Sequence, residues 1–239
     1  LVPFMVGVYL LVSIVILVMF GEFIPSAFQA IWDGAFSGES VAGGIIGVMI
    51  QGFRRAAFSN EAGVGSAAIA HSAVKTSDPA SEGLVALLEP FIDTVVVCTM
   101  TALVLIITQG QMNIDAGLEG VDLTSAVWAS AIPGSQYILT LAVVLFAFST
   151  MISWSYYGLQ SWKFLFGRGK VADRVYKLLF CGFVVVGAAV SLGAVIGFSD
   201  AMIFAMVFPN MIGLFIIAPV VRKELTSYCL LYTSDAADD

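Results

Sequence analysis

One short stretch of this sequence combines charged, amide and hydroxyl side chains with an interruption of an apolar segment. The uncharged runs 40–53 and 62–74 are each too short to cross a membrane, and Arg54, Arg55 and Glu61 lie between them. Charges at membrane depth are costly unless they are paired or face water, so they indicate a functional site. Interrupted, glycine-containing segments are also typical of transporter binding sites, where unwound backbone offers N–H and C=O groups.

The polar residues of this break have specific uses. Ser59 and Asn60 could cap the second half-helix, which would favour a carboxylate at its positive end; capping without any ligand is the alternative. Gly63 and Gly65 would allow a ligand or a second helix to approach the backbone closely. We therefore take these four residues as candidate substrate ligands.

The charges of the break suggest a second role. For Arg54, Arg55 and Glu61 we favour a structural or gating ion-pair network over direct contact with substrate. Glu89 and Asp93 are four residues apart, hence on one face of the next helix, and are candidate partners for the two arginines.

A second group of hydroxyls lies in the apolar span 137–159. Ser149, Thr150 and Ser153 share one helical face, and neutral oxygens of this kind can coordinate a hard cation such as Na⁺. Bonding to the carbonyl four residues back, or to a neighbouring helix, is the alternative. Trp154, one turn beyond Thr150, is a candidate wall of a substrate cavity or an ordinary packing residue.

The composition places all these residues in a membrane protein. Of 239 residues, 59% are hydrophobic and only 11% are charged, whereas a soluble domain is about 25% charged. The apolar content excludes a disordered chain, and the net charge of −7 argues against a nucleic-acid partner. Three cysteines without metal-ligand spacing predict neither a disulfide framework nor a zinc site.

The hydropathy pattern predicts an all-α, polytopic membrane protein with six crossings, one of them broken. The predicted crossings are 1–21, 40–74 with the break near 52–61, 84–108, 137–159, 178–198 and 201–221. A short interfacial helix is expected at 123–131. Trp32, Trp128 and Trp162 lie near span ends and are predicted to anchor the protein at the membrane interface.

Charge distribution sets the predicted orientation. With these crossings, eight of the ten basic residues fall on one side of the membrane, and we assign that side to the cytoplasm. We expect a multi-pass protein of the plasma membrane. His71, the single histidine, is predicted to pack or donate a hydrogen bond rather than to relay protons. The chain opens inside an apolar run and is expected to be an internal fragment; residues 229–239 look compositionally foreign to the rest.

The stretch Gly52 to Ile106 carries a family resemblance. It reads GFRRAAFSNEAGVGSAAIAHSAVKTSDPASEGLVALLEPFIDTVVVCTMTALVLI. The SNEAGxGSA core and the EGLVALLEPFIDT segment resemble the alanine or glycine:cation symporters, also called sodium:alanine symporters, and the similarity extends from Leu1 to about Tyr228. The resemblance implies a LeuT-type inverted-repeat fold, of which this chain would supply the fifth to tenth helices. Ala56 departs from the glycine common in the family at that position.

The same resemblance implies a function. It predicts a secondary active transporter, not an enzyme, that couples Na⁺ to symport of a small neutral amino acid such as alanine or glycine by alternating access. Ser149 and Thr150 align with the paired hydroxyls of a sodium site on the eighth helix of this fold. A cation channel, and less so an intramembrane enzyme, are the alternatives. Because the family's first helix supplies half of each site, this chain alone is expected not to transport.

Overall fold

The computed structural model describes residues 2–36, 44–112, 114 and 117–235, which are helical wherever they are regular, with no strand among them. The helices are α1 (Val2–Met19), α2 (Ile24–Phe36), α3 (Gly44–Ser59), α4 (Ala67–His71), α5 (Pro79–Ala86), α6 (Leu88–Pro90), α7 (Thr99–Met112), α8 (Gly120–Ala131), α9 (Ser135–Phe166), α10 (Lys170–Ala189) and α11 (Leu192–Asp235). Gly21–Phe23 is a 3₁₀ turn, and Phe91–Cys98 is π-helical. The predicted all-α class is confirmed.

Several helical stretches have the length and apolarity of a membrane crossing. Among the described residues these are Pro79–Met112, Ser135–Phe166 and Leu192–Leu231, with a fourth if Phe4–Met19 and Gly21–Phe36, bent by 81°, form one span. They support a multi-pass membrane protein. The LeuT-type topology and the count of six crossings stay predictions.

Two compact units divide the chain. The first comprises Leu1–Phe53 with Asp93–Trp154, and the second comprises Arg54–Ile92 with Ser155–Asp239. The α3 and α9 helices each contribute residues to both units. The helix interruption predicted near 52–61 therefore falls in the second unit from Arg54 onwards, and Ser149, Thr150 and Ser153 of α9 belong to the first unit.

The core of the first unit is built around Trp128. This side chain is only 1% exposed and packs 5.3 Å from the ring of Tyr9, with Ile16, Val104 and Leu139 in the same cluster. The prediction that Trp128 anchors the interface is therefore wrong, because α8 packs against α7 and buries this side chain instead of presenting it to the membrane surface.

The α1 and α7 helices pack against each other. The hydroxyl of Tyr9, midway along α1, lies 2.7 Å from that of Thr101, near the start of α7. Leu17 and Phe20 pack against a second cluster, formed by Ala27, Leu103 and Ile107.

In the second unit, α11 is longer than the sequence suggested. The spans 178–198 and 201–221 were predicted to separate at Asp200, but the chain leaves its helix at Val190, whose backbone is extended, and α11 then continues through Asp200. The reason is that one charged residue does not interrupt a helix when its side chain finds a partner. Pro209 and Pro219 lie inside α11, which reaches into the tail predicted to be foreign; residues 236–239 are outside the described range.

The C-terminal part of α9 is held against α10. A Cβ atom on Gly158 would overlap the Tyr176 hydroxyl, so the absence of a side chain there permits the close approach. At the end of α9, Lys163 pairs with Asp173 of α10 at 3.4 Å. The Tyr176 side chain thus reaches the bare backbone of α9 at Gly158.

Candidate functional site

The helix interruption lies at residues 60–66, between α3 and α4. The sequence placed it near 52–61, but α3 continues through Gly52 and both arginines to Ser59. Arginine and alanine favour a helix, and one glycine costs only about 1 kcal/mol within it. The chain leaves the helix at Asn60, and within the interruption Gly63 and Gly65 take φ values of 80° and 107°, which no right-handed helix accommodates. Residues 40–43, predicted to begin this crossing, are outside the described range.

Asn60 organises the first half of the interruption. Its side chain is 8% exposed, and its Oδ1 accepts the Ala62 N–H at 2.8 Å. The Val64 N–H donates to the Glu61 carbonyl at 3.2 Å. The prediction that Ser59 and Asn60 cap the second half-helix is wrong: Ser59 ends α3, Asn60 closes a local turn, and Ser66 occupies the N-cap of α4.

Asn210 holds the second half of the interruption. From the middle of α11, its Nδ2 donates to the Gly63 carbonyl at 2.9 Å. A Cβ atom on Gly65 would lie 3.3 Å from the Asn210 Cβ, so this glycine allows the close contact. Pro209 directly precedes Asn210 and has no N–H with which to continue the helical bonding.

Ser66 is a buried polar residue that the sequence analysis did not single out. It is 1% exposed, and its hydroxyl faces the carboxylate of Glu61 without completing a hydrogen bond of ordinary geometry to any described residue. The Glu61 carboxylate also interacts with the Tyr157 hydroxyl. The only sequence signal was the position of this hydroxyl, directly after a glycine of the break.

The arginines of α3 do not all follow the predicted pairing. Arg55 donates from Nη2 to both carboxylate oxygens of Asp200, each at 3.2 Å, and its guanidinium lies 5.3 Å from the Phe58 ring. Its predicted partners were Glu89 and Asp93, so that assignment is wrong for Arg55. Its actual partner lies within α11, a place that the sequence analysis had treated as a loop.

The predicted acidic pair is divided between different surroundings. His71 donates from Nδ1 to Glu82 at 2.7 Å, and its Nε2 lies 3.4 Å from a carboxylate oxygen of Glu89. Asp93 belongs to the π-helical segment that follows Pro90. Arg54 is exposed on the last turns of α3. His71 thus makes the hydrogen bond predicted for it.

The candidate sodium ligands lie on the continuous α9 helix. Ser149, Ser153 and Trp154 are half-buried in the first unit, whereas Thr150 is exposed. Within the described part of the chain, no group of three or more His, Cys, Asp or Glu side chains could hold a metal ion. A cation held by these residues would therefore depend on neutral oxygens, and the assignment of Ser149 and Thr150 stays a prediction.

Comparison with known families decides the class. The family model described as the sodium:alanine symporter family matches residues 1–236. The chain belongs to the sodium:alanine symporter family. The resemblance carried by residues 52–106 is thus confirmed, and the match extends beyond Tyr228, where the sequence analysis had ended it. Membership of a transporter family also supports the expectation that the protein is not an enzyme.

Individual members of the family show the same relationship. The chain is 39% identical over 231 residues to the sodium/alanine symporter AgcS of Methanococcus maripaludis, covering 95% of this chain and 50% of that protein. It is 32% identical over 207 residues to the probable sodium/glutamine symporter GlnT of Bacillus subtilis, covering 86% and 43%. The chain therefore spans about half the length of the curated relatives it matches.

Alanine substitutions at three glycines test the geometry of the interruption. We expect Gly63→Ala to lower the free energy of unfolding by about 1–3 kcal/mol, because φ is positive there. Gly65→Ala should lower the free energy of unfolding by at least about 1 kcal/mol more than Gly63→Ala, since the new Cβ also contacts Asn210. Gly52→Ala, in open space within α3, should stabilise the helix slightly. Denaturation in mixed micelles measures all three, and equal effects would contradict this geometry.

Proposed function

We propose that the chain forms part of a secondary active transporter that couples Na⁺ to the symport of a small neutral amino acid. Family membership supports the class, and the names of its relatives include sodium/alanine and sodium/glutamine symporters. The observation that carries the proposal is the interruption at 60–66, whose backbone is opened by two positive-φ glycines and held by Asn210.

The opened backbone offers donors to a carboxylate. Among the described residues, the N–H groups of Gly63 and Gly65 form no hydrogen bond, whereas those of Ala62 and Val64 are used within the loop. An amino-acid carboxylate would take these free donors, as anions do at unwound segments of transporters. The Asn60 amide and the Ser66 hydroxyl, both buried, would complete the polar lining beside them.

The side chains around this loop would restrict the size of the substrate. Val64 is buried within it, and the Asn210 side chain contacts Gly65 directly. These contacts leave little room for a long side chain near the proposed carboxylate donors, which favours alanine or glycine. Ser59 and Trp154 remain predicted substrate contacts.

The coupling ion would bind to the α9 hydroxyls. Ser149 and Thr150 carry neutral hydroxyl oxygens, and oxygen is the ligand atom that a hard cation such as Na⁺ takes. Binding of Na⁺ would stabilise the conformation that binds the amino acid, so the two sites would be linked thermodynamically. Bundle movement would then expose the substrate site alternately to each side of the membrane.

We extend the proposal to topology and gating. The chain would contribute six crossings of a LeuT-type fold, with its basic loops in the cytoplasm of a plasma-membrane protein; the candidate spans support the multi-pass class. The Arg55–Asp200 pair would restrain α3 against α11 within the second unit. Roles for Arg54, Glu61, Glu89 and Asp93 in gating remain proposals.

The first test is uptake of labelled alanine. A full-length protein that contains this chain, reconstituted in proteoliposomes, should accumulate alanine above the external concentration under an inward Na⁺ gradient. Replacing Na⁺ by choline should abolish accumulation. Equal uptake in choline would contradict Na⁺ coupling, and equilibration without accumulation would indicate a channel. Competition by unlabelled glycine and glutamine would define the substrate range.

A second test removes the donor that holds the interruption. Asn210→Asp has the same shape but cannot donate to the Gly63 carbonyl, so two oxygens would face each other. We expect the KM for alanine to rise about tenfold, equivalent to about 1.4 kcal/mol, because the Gly63 and Gly65 N–H groups that would bind the substrate carboxylate lose their orientation. Phe208→Leu, at an exposed position two residues earlier, is the matched control. An unchanged KM in Asn210→Asp would show that Asn210 has no role in substrate binding.

A third test addresses the cation site. The double variant Ser149→Ala with Thr150→Ala should raise the Na⁺ concentration for half-maximal uptake by about tenfold or more, since two oxygen ligands are lost. Ser161→Ala, on the same helix and bonded to its own helix carbonyl at Tyr157, is the control. Wild-type Na⁺ dependence in the double variant would show that the cation binds elsewhere.

A further inference from the structure

The turn between α9 and α10 concentrates positive charge. Residues 163–177 contain five basic side chains and a single acid, Asp173. The basic residues are Lys163, Arg168, Lys170, Arg174 and Lys177. Half of all the lysines and arginines of the chain therefore lie within fifteen residues, so this turn is the most basic part of the protein.

Asp173 neutralises only part of this charge. Its carboxylate lies 2.7 Å from the Lys177 ammonium and 3.4 Å from that of Lys163. The hydrogen bond from Lys177 holds the pKa of Asp173 below its usual range, so this acid stays ionised and committed to the two lysines. Arg168, Lys170 and Arg174 form no ion pair within the described part of the chain.

The unpaired cations surround a common space. A surface cavity of about 270 Å³ opens between the end of α9 and the start of α10. It is lined by Lys163, Arg168, Gly169, Lys170, Asp173 and Arg174. The positive φ of Gly167 turns the chain at this point and brings the two helix ends together around the cavity.

The neighbouring side chains place this cavity at the membrane surface. The candidate span on α9 ends at Phe166, so the cations begin where the apolar segment stops. Phe164 is 89% exposed, and Leu165 and Val171 are also largely exposed, as expected of side chains that contact lipid or another protein surface. Trp162 lies 5.9 Å from Tyr176, as in the aromatic belts of membrane interfaces.

We propose that this cavity binds the phosphate-bearing headgroup of an anionic phospholipid. Arg168 and Arg174 would donate paired hydrogen bonds to phosphate oxygens, and Lys170 would contribute a third charge. The exposed apolar side chains beside them would contact the acyl chains. Basic residues at helix ends also orient membrane proteins, but orientation requires neither a cavity nor three unpaired cations directed into it.

Lipid titration tests the proposal. A full-length protein that contains this chain, purified in non-ionic detergent, would be titrated with phosphatidylglycerol, phosphatidylcholine or sodium phosphate. Native mass spectrometry counts the bound lipids, and the unfolding temperature reports their affinity. The test variant replaces Arg168, Lys170 and Arg174 with Gln. The matched control replaces Lys75, Arg222 and Lys223 with Gln and so removes the same charge elsewhere.

We expect phosphatidylglycerol to bind and stabilise the wild type in preference to phosphatidylcholine. The test variant should bind it on the order of 100-fold more weakly, at about 1 kcal/mol for each basic residue at an anionic surface. The control variant should bind as the wild type does. A charge-preserving variant with Arg168→Lys, Lys170→Arg and Arg174→Lys should bind more tightly than the test variant but less tightly than the wild type, because the charge is kept and the paired hydrogen bonds of the two arginines are lost; this comparison guards against a failure to fold.

Two results would overturn the proposal: equal binding of both lipids by the wild type, or equal losses in the test and control variants. The titration with sodium phosphate distinguishes two sources of a phosphate group, a lipid headgroup and free phosphate. Displacement of phosphatidylglycerol by millimolar phosphate would show that the phosphate group itself is recognised. Binding that resists phosphate but is lost in the test variant would assign the site to the lipid.

Discussion

Backbone that leaves a helix must find new hydrogen-bond partners, and this constraint governs the segment between α3 and α4. A membrane interior supplies no water to replace the lost bonds, and a buried unpaired group costs about 1–3 kcal/mol. Two asparagines meet much of this need: Asn60 accepts the Ala62 N–H, and Asn210 donates to the Gly63 carbonyl. Because their bonds leave the N–H groups of Gly63 and Gly65 unused by described residues, the loop is ordered and still open to a ligand.

The existence of the interruption could be predicted from the sequence, but its position could not. Charges and glycines between two short apolar runs indicated a break, because a single rod of that composition would place arginines in lipid. The helix continues through Gly52 to Ser59, and the backbone takes positive φ only at Gly63 and Gly65, which composition alone does not distinguish from Gly52. The main partner of the interruption, Asn210, is 147 residues away along the chain. No local pattern in one sequence specifies a contact of that separation.

The errors at Trp128 and Asp200 share one physical cause. A hydropathy pattern assigns each residue a depth in the membrane from its neighbours in the sequence alone. A tryptophan near the end of a span is therefore interpreted as an interface anchor, and an aspartate between two apolar runs is interpreted as part of a loop. In the structure both residues have partners from distant parts of the chain: the Tyr9 ring packs against Trp128, and Arg55 forms an ion pair with Asp200. Composition therefore predicted the all-α class well, whereas the partners of individual polar residues required the three-dimensional arrangement.

The contact between Gly158 and Tyr176 has a mechanical consequence. The Tyr176 hydroxyl against the bare backbone of Gly158 and the pair of Lys163 with Asp173 join the end of α9 to the start of α10 at two points. A movement of one helix end that preserved both contacts would displace the other end with it, and the connecting turn would follow.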